Sequence, residues 1–208
     1  MKGRFFLVVA LTMVGVPKVA AKHPRVSVPN AAPSLEAFGF TLGQTPTLLT
    51  CPTTRDGSFD SRSWSAEMDA TCLELANREQ ISADGRSKTT PVHFNHSDEI
   101  RMVSSSGAGT FELQRLDGKL QGILGRTSGA DSQSRVYAVL RKKYGVPVTL
   151  IKKRVPGTQV DGLHAAWTFS NLRVNFDGIG ATPREGSFSI ITDAAFDHAK
   201  LVPLASGV

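Results

Sequence analysis

The chain has 208 residues, of which 40% are hydrophobic, and a formal net charge of +6 at pH 7. This apolar content is enough to bury a core, so the composition excludes an intrinsically disordered protein. Three of the cations, Lys2, Arg4 and Lys18, lie in the first 21 residues, and the rest of the chain carries a net charge of about +3. A charge this small gives no support to nucleic-acid binding.

The first 21 residues have the three parts of an export signal. Lys2 and Arg4 form a cationic start, residues 5–16 are small or apolar, and residues 19–21 are the small side chains that signal peptidase accepts. The apolar run of about twelve residues is shorter than the roughly twenty needed to span a bilayer. We therefore predict a signal peptide at residues 1–21, no membrane span, and a periplasmic or secreted protein.

A proline-rich stretch at residues 22–34 follows and lacks a hydrophobic period, which predicts a flexible lead-in. The rest of the chain, residues 35–208, has a length typical of one domain. It begins with residues 38–42, whose alternating pattern predicts a strand ending at Gly43.

Cys51 and Cys72 are the only cysteines of the chain. In an exported protein an even number of cysteines usually forms disulfides. The pair lacks the Cys-x-x-Cys spacing of redox sites, and two thiolates alone do not complete a zinc site. We therefore predict a structural disulfide. The apolar residues Trp64, Met68 and Cys72 recur at helical spacing and predict a helix over residues 63–78, to which the disulfide would attach the preceding segment.

The segment that comes nearest to a metal-binding motif contains His93, His96, Asp98 and Glu99. On an extended segment the two histidines point to opposite faces and cannot share an ion, whereas on a helix they can. Because residues 92–94 have the pattern of a strand followed by a polar turn, we predict a solvated loop here and no metal site.

The clearest hairpin signal is Asp117-Gly118 between two apolar runs. A second helix is predicted at residues 132–144, with cations in its last turn and with Gly145 and Pro147 ending it. The last third predicts an antiparallel meander, and its strands lie near 148–150, 163–169, 172–176 and 188–191. One face of this meander is strongly apolar, and the second helix is the element best placed to cover it. The predicted fold is α+β, a mainly antiparallel sheet packed by two helices and carrying one disulfide.

Two short motifs carry a resemblance to a known family. Residues 40–45, Phe-Thr-Leu-Gly-Gln-Thr, are echoed 82 positions later by residues 122–127, Gly-Ile-Leu-Gly-Arg-Thr. With the helix ending in Tyr-Gly-Val-Pro and the strands carrying Trp167 and Phe176, this pattern resembles the small exported modules of the β-lactamase-inhibitor-like fold, which include periplasmic adaptors of outer-membrane assembly. Two such modules can occur in tandem, so the resemblance implies related halves at 35–118 and 119–200. It also implies protein binding without catalysis.

The sequence contains no nucleophile elbow, Walker loop, dinucleotide-binding turn or zinc-binding helix. Asp161 and His164 with a distant serine are the residue types of a hydrolytic triad, which only geometry can establish. The glycine-containing residues 104–109 lack the strand before and the helix after that a phosphate loop requires, and they predict a hairpin tip. We therefore predict no enzymatic activity, no cofactor and no metal.

Positive charge is concentrated in one part of the sequence, where six cations occur within fourteen positions. They are Arg141, Lys142, Lys143, Lys152, Lys153 and Arg154. The end of the second helix and the following strand are neighbours through a short turn, so these side chains can converge on one surface. On that strand Lys152 and Arg154 share a face and Lys153 points the other way.

Two roles fit these cations. One is structural, because cations suit the C-terminal end of a helix and a charged edge strand resists aggregation. The other is binding, for which Arg141, Lys142, Lys143, Lys152 and Arg154 are the candidate residues. We predict an exported, soluble, non-catalytic module of the cell envelope or extracellular space that binds another protein. The alternative is binding of anionic lipid, lipopolysaccharide or polysaccharide through the same cations, and a third is a hydrolase without a local motif.

Overall fold

The computed structural model describes residues 34–47, 49–52, 54–55, 72–73, 80–93, 110–155 and 158–201. The predicted signal peptide, almost all of the lead-in, His96 and the 104–109 segment lie outside these residues. So does most of the predicted helix at 63–78. The two described residues of that helix, Cys72 and Leu73, form a strand, and the helix prediction is wrong there. Their backbones pair with His93 and Val92 of a neighbouring strand, which helical spacing of apolar residues cannot reveal.

Twelve strands are found in the described part of the chain. They are β1 (Glu36–Ala37), β2 (Phe40–Thr41), β3 (Leu49–Thr50), β4 (Cys72–Leu73), β5 (Gln80–Ile81), β6 (Ser87–His93), β7 (Thr110–Leu116), β8 (Lys119–Thr127), β9 (Thr149–Arg154), β10 (Asp161–Thr168), β11 (Leu172–Asp177) and β12 (Gly186–Thr192). Two α-helices accompany them, α1 (Gln133–Tyr144) and α2 (Asp193–Leu201). None of the helices in the described ranges is both long enough and apolar enough to cross a membrane.

Ten of these strands form one sheet in the order β3-β4-β6-β7-β8-β12-β11-β10-β9, with β5 pairing beside β6. Every pairing is antiparallel except that of β3 with β4. The α+β fold with a mainly antiparallel sheet is therefore confirmed. The predicted hairpin is β7–β8, whose turn holds Asp117 and Gly118 at positive φ. The boundary between the predicted halves 35–118 and 119–200 lies in this turn. Because β7 pairs with β8, one sheet continues across that boundary.

Helix α1 covers the apolar sheet face at β10, as predicted. The rings of Tyr137 and Tyr144 lie 6.2 and 6.5 Å from that of Trp167. Trp167 is buried, and its indole Nε1 donates a hydrogen bond of 2.9 Å to the carbonyl of Gly145, the residue that ends the helix. The helix is thus fixed to the sheet both by packing and by a satisfied buried polar group.

The other half of this face is covered by the start of the described chain. Residues 38–42 do not form one strand, because Phe38 and Gly39 adopt positive φ and make the turn between β1 and β2. This turn sends the Phe38 ring into the core, where its centroid lies 5.1 Å from Phe111 and 5.5 Å from Phe188. The prediction of one strand over residues 38–42 is therefore wrong, and the alternating apolar residues Phe38, Phe40 and Leu42 are the buried residues of a hairpin and its flank.

Helix α2 lies on the opposite side of the sheet. Arg173 alternates with the buried Leu172 and Val174, so its side chain points to that opposite side. There its Nε donates to Asp193 Oδ1 at 2.8 Å, and its guanidinium lies 4.1 Å from the centre of the Phe196 ring. These contacts hold the first two turns of α2 against the sheet.

The predicted disulfide between Cys51 and Cys72 is present, with the two Cα atoms 4.8 Å apart. Both cysteines are buried. Cys72 belongs to β4 and Cys51 follows β3 directly, so the bridge fastens the two strands at one end of the described sheet rather than a helix.

Candidate functional site

Six cations lie in the last turn of α1 and along β9, and we call them together the basic surface: Arg141, Lys142, Lys143, Lys152, Lys153 and Arg154. All six are exposed. The first three lie in the last turn of α1, where positive charge is favourable. The chain then reverses, and the Val148 N–H donates to the Ala166 carbonyl at 2.9 Å, which aligns β9 beside β10. The other three cations are the last residues of β9.

The strand register divides the cations of β9 between the two sides of the sheet. Lys152 pairs with Leu163 and Arg154 pairs with Asp161, whereas Lys153 pairs with Gly162. Paired residues of an antiparallel sheet point to the same side. Lys152 and Arg154 therefore lie on the side covered by α1, and Lys153 lies on the other, as their spacing predicts.

A groove of about 430 Å³ runs between α1 and the β9–β10 pair. Its lining is Gln133, Ser134, Tyr137, Arg141, Leu150, Lys152, Asp161 and Leu163. The fold thus brings Arg141 of the helix and Lys152 of the strand to one cavity, although eleven positions separate them in the sequence. Lys142 and Lys143 are exposed nearby and are not part of the lining.

Arg154 differs from the other cations of the basic surface because its charge is matched. Its Nε lies 2.8 Å from Asp161 Oδ1, and a terminal nitrogen donates to the Gln159 carbonyl at 2.6 Å. Asp161 also lines the groove. A carboxylate therefore lies among the cations, and the surface presents a mixed charge pattern rather than a uniform positive one.

Large apolar side chains are exposed beside these charges, which the sequence did not predict. The exposed fractions are 71% for Val146, 45% for Val148, 49% for Leu150 and 50% for Ile151. Val148 and Leu150 were assigned to an apolar strand of the meander, but β9 lies at the edge and their side chains are only half covered. The consecutive pair Leu150-Ile151 was the available signal, because neighbouring strand residues point to opposite faces and cannot both enter one core.

Asp161 and His164, the two described members of the hydrolytic arrangement considered from the sequence, do not pair with each other. Asp161 is paired with Arg154, while His164 Nδ1 lies 2.6 Å from Asp177 Oδ1. Asp177 pairs across the sheet with Ser187 on its other side. The carboxylate therefore lies between the imidazole and the serine, whereas a triad needs the imidazole in the middle.

A second histidine–carboxylate contact joins α2 to the turn between β5 and β6. His198 Nε2 lies 2.7 Å from Asp84 Oδ2, and Ser82 Oγ and the Arg86 N–H donate to Asp84 Oδ1 at 2.6 and 3.0 Å. The hydrogen bond from Ser82, followed by those from Arg86 and His198, holds the pKa of Asp84 far below its usual range. Arg86 in turn makes a two-pronged contact with Asp117 in the β7–β8 turn, which lowers the pKa of Asp117.

The hydrogen bonds of Asp84 predict that the free energy of unfolding decreases in acid. Because the pKa of Asp84 is lower in the folded protein than its ordinary value of 3.8, the ionised carboxylate stabilises the fold above that value, and the stabilisation is lost as the pH falls below it. Asp84→Asn should lower the urea midpoint at about pH 7 and should reduce its loss between about pH 5 and pH 3. The matched control is Asp197→Asn, since Asp197 is exposed and makes one contact of 3.7 Å, with Lys200. Equal acid sensitivity of the two variants would contradict this role of Asp84.

Within the described ranges, no three residues of the types His, Cys, Asp and Glu are grouped so that they could hold a metal ion. The predicted loop containing His96, Asp98 and Glu99 lies outside those ranges and stays a prediction. Comparison of the chain with models of protein families, with curated proteins and with solved structures found no match.

Proposed function

We propose that this chain is an exported, non-catalytic binding module of the cell envelope or extracellular space, and that the basic surface contacts an acidic region of another protein. The observation that carries the proposal is the groove in which Arg141 and Lys152 flank apolar side chains. Export is supported by the signal-like residues 1–21 and by the buried disulfide, since disulfides persist in oxidising compartments.

The chemistry of the surface favours a protein partner. Protein interfaces combine an apolar centre, which supplies most of the affinity, with charged residues that guide association and set specificity. Leu150 and Ile151 supply exposed apolar area next to the cations. Burying such area contributes roughly 25 cal/mol per Å².

Anionic lipid or polysaccharide is the second candidate, and the exposed Val146 beside Lys142 and Lys143 favours it. Polybasic segments are attracted to anionic lipid head groups, and apolar side chains can enter the lipid interface. Asp161 opposes this candidate more than the first, because a lipid surface presents anionic groups to the whole contact, whereas a protein can place its acidic residues away from the Asp161 carboxylate.

The test is reversal of the two groove cations, Arg141→Glu with Lys152→Glu. Both side chains are exposed, so we expect the free energy of unfolding to change by less than about 1 kcal/mol. Partner capture from envelope extract by the immobilised protein should be lost. Capture by the unchanged protein should weaken as salt rises, because the contact is electrostatic.

The control variant is Lys119→Glu with Arg184→Glu, which changes the net charge by the same four units. Both residues are exposed, and neither lines the groove. This control should retain the partner. If both double variants capture the same proteins as the unchanged chain, the basic surface does not bind, and if both lose them, only net charge matters. Retention of anionic vesicles in place of a protein would favour the second candidate.

A further inference from the structure

We propose that the partner contributes an extended acidic segment that pairs with β9 as an added antiparallel strand at the edge of the sheet. This inference rests on the proposed function, because it specifies the form of the partner at the basic surface. Three observations carry it: the direction of the β9 backbone groups, the half-exposed apolar residues of β9, and the order of its charges.

The first observation is that β9 is the last strand at one end of the described sheet. The Val155 N–H donates to the Val160 carbonyl at 3.0 Å, in register with the β9–β10 pairing. Hydrogen-bonded and non-hydrogen-bonded pairs alternate in an antiparallel ladder. The backbone N–H and C=O groups of Ile151 and Lys153 therefore point towards β10. Those of Leu150, Lys152 and Arg154 point away from it.

The second observation is the partial burial of the apolar residues of this strand. Leu150 lies on the α1 side and Ile151 on the other, and each is about half exposed. An added strand places one side chain beside each of them, so that it extends the apolar face of the sheet on both sides. The cations alone could be explained as protection of an edge strand, because charged side chains keep such a strand from pairing with other chains and aggregating. Such protection does not explain two large apolar residues at the same edge.

The third observation is the charge order along β9, which reads two apolar residues and then three cations: Leu150, Ile151, Lys152, Lys153 and Arg154. Opposite charges in directly opposed positions stabilise a strand pair, and like charges destabilise it. Because Asp161 already matches the charge of Arg154, the complementary antiparallel strand reads two acidic residues, opposite Lys153 and Lys152, and then two apolar ones. A second copy of β9 is disfavoured, because it would bring three more cations to the same edge.

The experiment uses the purified protein and two synthetic peptides, Thr-Thr-Glu-Glu-Val-Val-Thr and its counterpart with lysine in place of glutamate. Binding is followed by amide NMR and hydrogen exchange. We expect only the acidic peptide to bind. When about nine-tenths of the protein is bound, the N–H groups of Leu150, Lys152 and Arg154 should exchange about tenfold more slowly, because exchange then requires the free protein.

A matched pair of variants tests the backbone contact separately from the charge. Leu150→Pro removes one N–H that points away from β10, a position at which an edge strand tolerates proline, and Leu150→Ala keeps that N–H. Affinity for the acidic peptide should fall at least about tenfold more in the proline variant than in the alanine variant. Circular dichroism and the urea midpoint show whether both variants are folded.

The outcomes separate this inference from the proposed function. If the acidic peptide binds but the β9 amides keep their exchange rates and the two Leu150 variants bind equally, strand addition is wrong while binding at the basic surface stands. If the acidic peptide does not bind, strand addition is overturned and partner capture decides the proposed function. If phosphatidylglycerol vesicles bind at β9 and the peptide does not, both are overturned.

Discussion

Replacing Cys72 with alanine is expected to lower the free energy of unfolding by about 2–5 kcal/mol, the usual effect of removing a disulfide from a small exported domain. The bridge joins Cys51 and Cys72, which are 21 positions apart in the sequence. It also joins β3 and β4, whose described strands have two residues each and form the one parallel pairing of the described sheet. Few hydrogen bonds hold this pair, so the covalent bond should matter more here than in the centre of the sheet.

Urea unfolding without reductant measures this effect. The control is Cys51→Ala, which should cost a similar amount, and the double replacement should cost little more than either single one because all three lose the same bond. Reduction of the unchanged protein should reproduce the loss. A count of two free thiols in the unreduced, denatured protein would contradict the bridge itself.

Phe111→Ala is expected to cost about 3–5 kcal/mol, the range for removing a fully buried aromatic side chain. Phe111 has no exposed surface, and its ring lies 5.1 Å from Phe38 and 5.4 Å from Phe188, with an interplanar angle of 84° to the latter. The replacement would leave a cavity between the β1–β2 hairpin and the sheet. Thermal or urea unfolding gives the change in stability.

The control removes the same atoms from a less buried position. Phe196→Ala in α2 deletes a ring that is only half buried, between Arg173 and Lys200. Its cost should be clearly smaller than that of Phe111→Ala. Similar costs would mean that the β1–β2 hairpin does not close the core over β7 and β12.

The sequence predicted best the elements whose signals are local. Helix α1 has a clear apolar stripe and a glycine at its end, and its predicted bounds differ from the observed Gln133–Tyr144 by one residue. The strands β10 and β11 alternate cleanly because one side of each is buried. The cover of this apolar face by the helix was also predicted, and Trp167 on that face is buried beside Tyr137 and Tyr144.

The elements that were predicted wrongly or missed depend on contacts between residues far apart in the chain. The spacing of Trp64, Met68 and Cys72 is helical, yet Cys72 pairs with His93 in the sheet. Helix α2 was not predicted, because its nine residues give a weak periodic signal and its stability depends on Arg173 and Asp84. Local pattern cannot report such pairings.

At the basic surface too, the features with local sequence signals were predicted and those that depend on the whole sheet were not. The convergence of Arg141 and Lys152 followed from a helix end and a strand joined by a short turn, and the groove contains both. The pairing of Arg154 with Asp161 depends on the β9–β10 register, which the sequence alone did not fix. The exposure of Leu150 and Ile151 depends on the position of β9 in the strand order, which is a property of the whole sheet.

The most direct test of binding at the basic surface is site-specific photo-crosslinking in living source cells. A photoreactive residue is placed at Ser134, which is exposed and lines the groove, or at Arg184, which is exposed in the turn between β11 and β12. We expect a protein crosslink from position 134, absent when Arg141→Glu and Lys152→Glu are added, and none from position 184. Crosslinks to a protein from position 184 alone, or from position 134 regardless of the charge reversal, would contradict the account.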